Sequence, residues 1–212
     1  MKLLFISLGC DKNLVDSEEM LGMLAADGHQ IVDDEDEAEV IIINTCCFIG
    51  DAKEESVNTI LEMAEKKKAG TCKVLIVTGC MAQRYKKEIS EEIPEVDAIL
   101  GTTSYGEIVK AVKEAQAGRH FEEYKSIDYL PDISGKRMLT TGGHFAYLKI
   151  AEGCDKHCTY CIIPKLRGSY RSVPMEELVK EASSLAQQGV KELILVAQET
   201  TVYGKDLYGK KS

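Results

Sequence analysis

Short apolar runs alternate with helical patterns through residues 1–118, and this alternation limits the fold more than any other feature of the chain. Leu3 to Ile6, Val40 to Ile43, Val74 to Val77 and Ala98 to Leu100 read as short buried strands. Helical segments lie between them. Val57, Ile60, Leu61 and Ala64 recur at i, i+3, i+4 and i+7, while Asp16 with Glu19 and Ser104 with Glu107 have capping-box spacing. A chain that alternates in this way is expected to form an α/β fold, an open parallel sheet with helices on both faces. The acidic run Asp33 to Glu37 reads as a solvated loop, and Lys66-Lys67-Lys68 as the charged end of a helix.

Three cysteines follow predicted strands: Cys10 in Ser7-Leu8-Gly9-Cys10, Cys46 in Asn44-Thr45-Cys46 and Cys80 in Thr78-Gly79-Cys80. Each sits three or four residues past a strand's apolar run. The carboxyl ends of parallel strands form the ligand crevice of an open sheet, so thiols far apart in sequence should converge there. Any one buried cysteine is readily explained as a small hydrophobe. Three at equivalent positions favour a metal cluster with three protein ligands. Cys47 and Cys72 read as non-ligands, with Cys47 a possible substitute for its neighbour.

A second set is compact. Cys154, Cys158 and Cys161 form CxxxCxxC just after the apolar run Tyr147 to Ile150. A 4Fe–4S cluster normally takes four thiolates, so three leave one iron open to a small molecule. The rival is zinc, which in structural sites prefers four ligands, usually in two separated pairs. A second such pair is missing, although His157 offers a fourth ligand. The spacing favours the cluster, and a disulfide is the weakest reading.

Composition narrows the setting. Eight cysteines, no signal-peptide pattern and no apolar run near the ~20 residues of a membrane span point to a reducing cytoplasm and to no membrane partner. A net charge of −9 is a poor match for bulk electrostatic binding of nucleic acid.

Two three-cysteine sites in this order resemble the methylthiotransferases, radical S-adenosylmethionine enzymes that insert sulfur and methylate it. Within that family three stretches are similar to the protein-modifying branch: Ser7-Leu8-Gly9-Cys10-Asp11-Lys12-Asn13-Leu14-Val15-Asp16-Ser17-Glu18, Glu152-Gly153-Cys154 through Ser172, and Ala197-Gln198-Glu199 through Gly209. The transfer-RNA branch usually shows glutamine-methionine-asparagine after its first cysteine. Glu199 stands where aspartate is more usual.

The resemblance implies that Cys154, Cys158 and Cys161 hold a radical-generating cluster, and Cys10, Cys46 and Cys80 an auxiliary cluster that presents sulfur. It implies two 4Fe–4S clusters, S-adenosyl-L-methionine and an electron donor. The implied reaction adds a methylthio group to the β-carbon of an aspartate in ribosomal protein S-twelve, free or on the small ribosomal subunit. Gln198 falls where the superfamily recognises the cofactor's amino group, and Tyr160 is expected near the adenine. Lys165, Arg167 and Arg171 form a basic strip that meets substrate or is merely solvated.

The expected organisation is an α/β domain over 1–118, a linker over 119–141 that contains Pro131 and Gly135, and the first strand–helix units of a (β/α) radical barrel over 142–212. Leu178, Ala182 and Leu185 make a helical stripe behind Pro174, and Leu193 to Ala197 a further strand. By the resemblance the barrel and a small docking β-barrel, the TRAM domain, would continue beyond residue 212, so the chain is expected to be a truncated, inactive piece. Two other functions stay open: transfer-RNA adenosine methylthiotransferase, and a non-catalytic metal-binding domain.

Overall fold

The computed structural model describes residues 1–131 and 137–209. A parallel sheet of β1 (Lys2–Ser7), β2 (Gln30–Val32), β3 (Val40–Thr45), β4 (Val74–Gly79), β5 (Ala98–Leu100) and β6 (Phe121–Glu123) forms in the order β2-β1-β3-β4-β5-β6. The central strands are buried on both faces, which is why their sequences are continuously apolar. Alternate residues point to opposite faces. Ile41, Ile43, Leu75 and Val77 meet Ile60, Met63 and Ala64 of α2 (Gly50–Lys68) on one side. On the other, Val40, Ile42 and Ile76 meet Met20 and Leu24 of α1 (Asp11–Ala26) and Ile108 and Val112 of α5 (Ile108–Gln116). Two short helices, α3 (Cys80–Arg84) and α4 (Lys86–Glu92), follow β4.

Several local expectations change. Asp16 and Glu19 do not cap a helix: α1 begins at Asp11, so both lie in its interior. Leu61 is 47% exposed, off the buried stripe of α2. Lys66 is bonded to Glu35 and Asp36 at 2.7 Å, so the acidic loop and the lysine run partner each other across the surface. The sheet also runs past residue 118, because β6 lies inside the stretch read as linker and pairs with β5 in register Ala98↔Phe121. Farther along that stretch, Arg137 is buried against Glu18 and Glu181, and Glu18 Oε1 accepts from the Thr140 N–H at 2.7 Å. Residues 132–136 of the stretch, Gly135 among them, fall outside the described residues, as do the last three of the 142–212 span.

A second, smaller unit follows. β7 (Phe145–Lys149) pairs in parallel with β10 (Glu192–Val196). Between them come β8 (Ala151–Glu152), the cysteine loop, α6 (Ile163–Arg167), β9 (Arg171–Ser172) and α7 (Met175–Gln187). The antiparallel pairing of β8 with β9 closes the cysteine loop at its base. Leu178 and Leu185 of α7 are buried, and Pro174 is its N-cap with φ −55°. A one-turn helix, α8 (Lys205–Tyr208), packs against β9. The two units meet where α1 packs on β7 and α3 on α6. No described helix is long and apolar enough to cross a membrane.

Candidate active site

The parallel registers bring the dispersed cysteines together. β1, β3 and β4 are neighbours, with Ser7 opposite Asn44 and Thr45 opposite Gly79. Cys46 and Cys80 are the first residues past their strands and Cys10 the N-cap of α1, so all three lie at one edge of the sheet. Two glycines permit this approach. Gly9 has φ +96°, and a Cβ there would lie 2.7 Å from the Cβ of Cys46; Gly79 has φ +93°, and a Cβ there would lie 2.6 Å from the Thr45 carbonyl oxygen. Any other residue would be strained at both positions and would push the cysteine-bearing turns apart.

The CxxxCxxC loop faces this edge across a cavity of about 1160 Å³. Cys10, Cys46, Cys80, Cys154, Cys158 and Cys161 all line it. Cys46 and Cys80 are buried, Cys10 and Cys158 exposed, and all eight cysteines are free thiols. Cys47 and Cys72 are elsewhere, packed in the core, with the Cys72 thiol donating to the Val74 carbonyl at 3.1 Å. Among the described residues no three side chains converge closely enough to hold a single metal ion. A cube takes one thiolate per iron, so the three sulfurs that hold one stand farther apart than the ligands of a single ion.

Gln198, two residues past β10, lines the same cavity. Its Nε2 donates to Glu152 Oε1 at 2.7 Å, and its own Oε1 is buried with no protein partner. A buried, unpartnered acceptor calls for a donor from a bound molecule. The ammonium group of S-adenosylmethionine is such a donor. Tyr160 also lines the cavity but is 91% exposed, so neither ordinary burial nor protein packing accounts for it. Glu199 is bonded to Lys156 of the cysteine loop and to Thr201, and these hydrogen bonds hold its carboxyl down to about 2.

Beneath the cavity is a charged network that the sequence reading missed. Arg167, read as part of a basic strip that contacts substrate or is only solvated, is 3% exposed, whereas Lys165 is exposed and Arg171 only partly covered. Its guanidinium donates to Asp16 Oδ2 at 2.8 Å, to Glu152 Oε2 at 3.1 Å and to Asn13 Oδ1. Lys149, also buried, pairs with Asp16 and lies 3.5 Å from Glu152. Burial alone would raise the Glu152 carboxyl, but Arg167 and Lys149 outweigh it and hold the group down to about 2. Burial pushes the Cys80 thiol up to about 12, against the pull of Arg167. Bound iron would deprotonate it outright. Nearby, the oxygens of Glu19 and Tyr105 are buried without hydrogen-bond partners, and burial raises Glu19 to about 7 despite Lys149. Asn13, Asp16 and Glu152 all fall within the stretches that carry the family resemblance, the one signal that marked them.

Residues 2–101 match the model of a family described as Uncharacterized protein family UPF0004, and residues 148–210 match the Radical SAM superfamily. The chain is 66% identical over 211 residues to the Ribosomal protein uS12 methylthiotransferase RimO of Lachnoclostridium phytofermentans, covering all of this chain and 48% of that protein. Proteins of the same name from Clostridioides difficile (53%, covering 100% of this chain and 48% of that protein) and Acetivibrio thermocellus (55%, covering 97% and 47%) are also similar. The chain therefore spans about half the length of the curated relatives it matches. The Radical SAM match implies S-adenosylmethionine and a 4Fe–4S cluster, and the thiols of Cys154, Cys158 and Cys161 and the unpartnered Gln198 acceptor, all at the cavity, are groups of the kind they require. With family models matched on both sides of the cavity and relatives this similar over the whole chain, the chain is similar throughout its length to methylthiotransferases, and its residues 148–210 carry the Radical SAM match.

Proposed function

We propose that the protein of which this chain forms a part adds a methylthio group to the β-carbon of an aspartate in ribosomal protein S-twelve. The single observation that carries the proposal is that two separate three-cysteine sets line one cavity. In this reading Cys154, Cys158 and Cys161 hold the 4Fe–4S cluster that engages S-adenosyl-L-methionine. Cys10, Cys46 and Cys80 hold a second cluster, and residues 1–118 with β6 and residues 142–212 are the two domains that bring them face to face. The name of the relatives supplies the substrate, and an electron donor and a cytoplasmic setting complete the reading.

Bound in this cavity, the cofactors supply sulfur, a methyl group and a carbon-centred radical able to take hydrogen from an unactivated carbon. The chain's own part is to place and shelter them. Glu152, its carboxyl held down to about 2, accepts the Gln198 amide N–H and so leaves Gln198 Oε1 as the acceptor that would receive the ammonium group of S-adenosylmethionine. Tyr160, exposed at the cavity, offers its ring to the adenine. Facing thiolate sets within one enclosure let a single substrate carbon reach both cofactors, and such orientation supplies much of a catalytic advantage.

Acidic residues outnumber basic ones by 35 to 26, which favours a protein substrate over a polyanionic transfer RNA. The test is to incubate reconstituted full-length enzyme with S-adenosylmethionine, reductant and a peptide copying the S-twelve loop, in parallel with unmodified transfer RNA. The expected outcome is a methylthio mass increase on the peptide. An increase on the RNA with none on the peptide or the intact protein refutes the assignment.

A further inference from the structure

Asn13, in the first turn of α1, touches all three turns that carry the dispersed cysteines. Its Nδ2 donates to the Leu8 and Thr45 carbonyls, each at 3.0 Å, two residues before Cys10 and one before Cys46. Its Oδ1 lies 3.9 Å from the Cys80 sulfur. Across the cavity, Glu152 accepts from Gln198 Nε2 at 2.7 Å and from the Gly153 N–H at 3.3 Å, the residue before Cys154. Arg167 joins the two arrangements: Nη2 donates to Asn13 Oδ1 and Nη1 to Glu152 Oε2.

We propose that Arg167 is a positioning residue that couples the two cofactor sites. One guanidinium orients both the Asn13 amide that gathers the Cys10, Cys46 and Cys80 turns and the Glu152 carboxylate that aims Gln198. The proposal rests on the two-site reading above. The chemistry suits arginine: a rigid planar fork donates in two directions at once, and its charge-assisted bonds gain strength when buried. A lysine ammonium is a point charge on a flexible stem and cannot span both partners in the same geometry. Because the fork ties Asn13 to Glu152, a change at the dispersed cysteines is transmitted to the S-adenosylmethionine side, and the reverse.

The experiment uses full-length enzyme reconstituted anaerobically with iron and sulfide. Iron counting on the unaltered enzyme tests the two-site reading by itself: uptake of only one cluster defeats that reading whatever the variants do. Given two clusters, the Kd for S-adenosylmethionine is measured by equilibrium binding in Asn13→Ala, Arg167→Lys and the double variant. Asn13 makes no hydrogen bond to Gln198 or to the CxxxCxxC loop, yet Asn13→Ala is expected to weaken S-adenosylmethionine binding by about fivefold or more, the low end of ordinary site-to-site coupling. In the Arg167→Lys background the same substitution should add nothing further. An unchanged Kd in Asn13→Ala, or additive losses in the double variant, overturns the proposal. Glu152→Gln supplies the reverse measurement should Asn13→Ala or Arg167→Lys fail to fold. It should shift the electron paramagnetic resonance signal of the cluster on Cys10, Cys46 and Cys80, and an unchanged signal counts against the coupling.

Discussion

Replacing Glu19 with glutamine should make this protein more stable, and more so the higher the pH. The Glu19 carboxyl is buried, and burial, opposed by Lys149 and the Tyr105 hydroxyl and reinforced by Asp16 and Glu181, raises the group from 4.5 to about 7. A folded state that holds a proton more tightly than the unfolded chain has its full stability below pH 4.5. That stability then falls as pH rises through 7 and levels off above it. Each pH unit across that window is worth about 1.4 kcal/mol, so the penalty approaches a ceiling of about 3 kcal/mol at alkaline pH. Glutamine keeps the shape and removes the charge. Since the pI is about 5.1, where solubility is poorest, pH 6 and pH 8.5 are the useful conditions. Between them the advantage of Glu19→Gln over the unaltered chain should grow by about 1.4 kcal/mol. Urea unfolding followed by circular dichroism, with thiols kept reduced, measures it. An advantage that is equal at the two pH values, or that shrinks as pH rises, refutes the reasoning.

Asp16→Leu should cost about 3 kcal/mol or more, because Lys149 and Arg167 would keep only Glu152 between them in a buried site; thermal unfolding at neutral pH reports the loss. In the full-length enzyme, changing Cys154, Cys158 and Cys161 together to alanine should abolish reductive cleavage of S-adenosylmethionine and leave about half of the bound iron, as expected when one of two similar clusters is lost. Chromatographic assay of 5′-deoxyadenosine alongside iron counting checks both outcomes.

Within the six-stranded sheet the sequence disclosed the four inner strands and hid the two at the edges. Val40 to Ile43 and Val74 to Val77 are unbroken apolar runs because helices cover the sheet on each side, whereas β6 is Phe-Glu-Glu and β2 only Gln-Ile-Val. Such edge strands are defined by register with a neighbour, which no local pattern encodes. The same limit affected the site. Asp16 and Glu19 have the spacing of a helix start, but Asp16 serves Lys149, 133 positions away, and Arg167, 151 positions away. Arg167 therefore looked like a surface residue until the two units were packed together. The CxxxCxxC loop, by contrast, carries its whole geometry in eight consecutive residues.

The two cysteine sets are consequently dimensioned by different rulers. Cys154, Cys158 and Cys161 are spaced by their own loop, and one inserted residue there would alter the gap between sulfurs. Cys46 and Cys80 directly follow adjacent strands and Cys10 lies three residues past the neighbouring one, so their spacing follows the lateral repeat of the sheet, about 4.8 Å per strand. The surface loops between those strands can lengthen, shorten or diverge in sequence without moving the thiols, provided the strands, Asn13 and Gly79 are kept and the crossover helices still cover the sheet. A site built this way is insulated from insertions in the chain between its ligands. It is correspondingly exposed to a slip of one strand in register, which would carry a thiol about 3.3 Å along its strand and turn its neighbours to the opposite face.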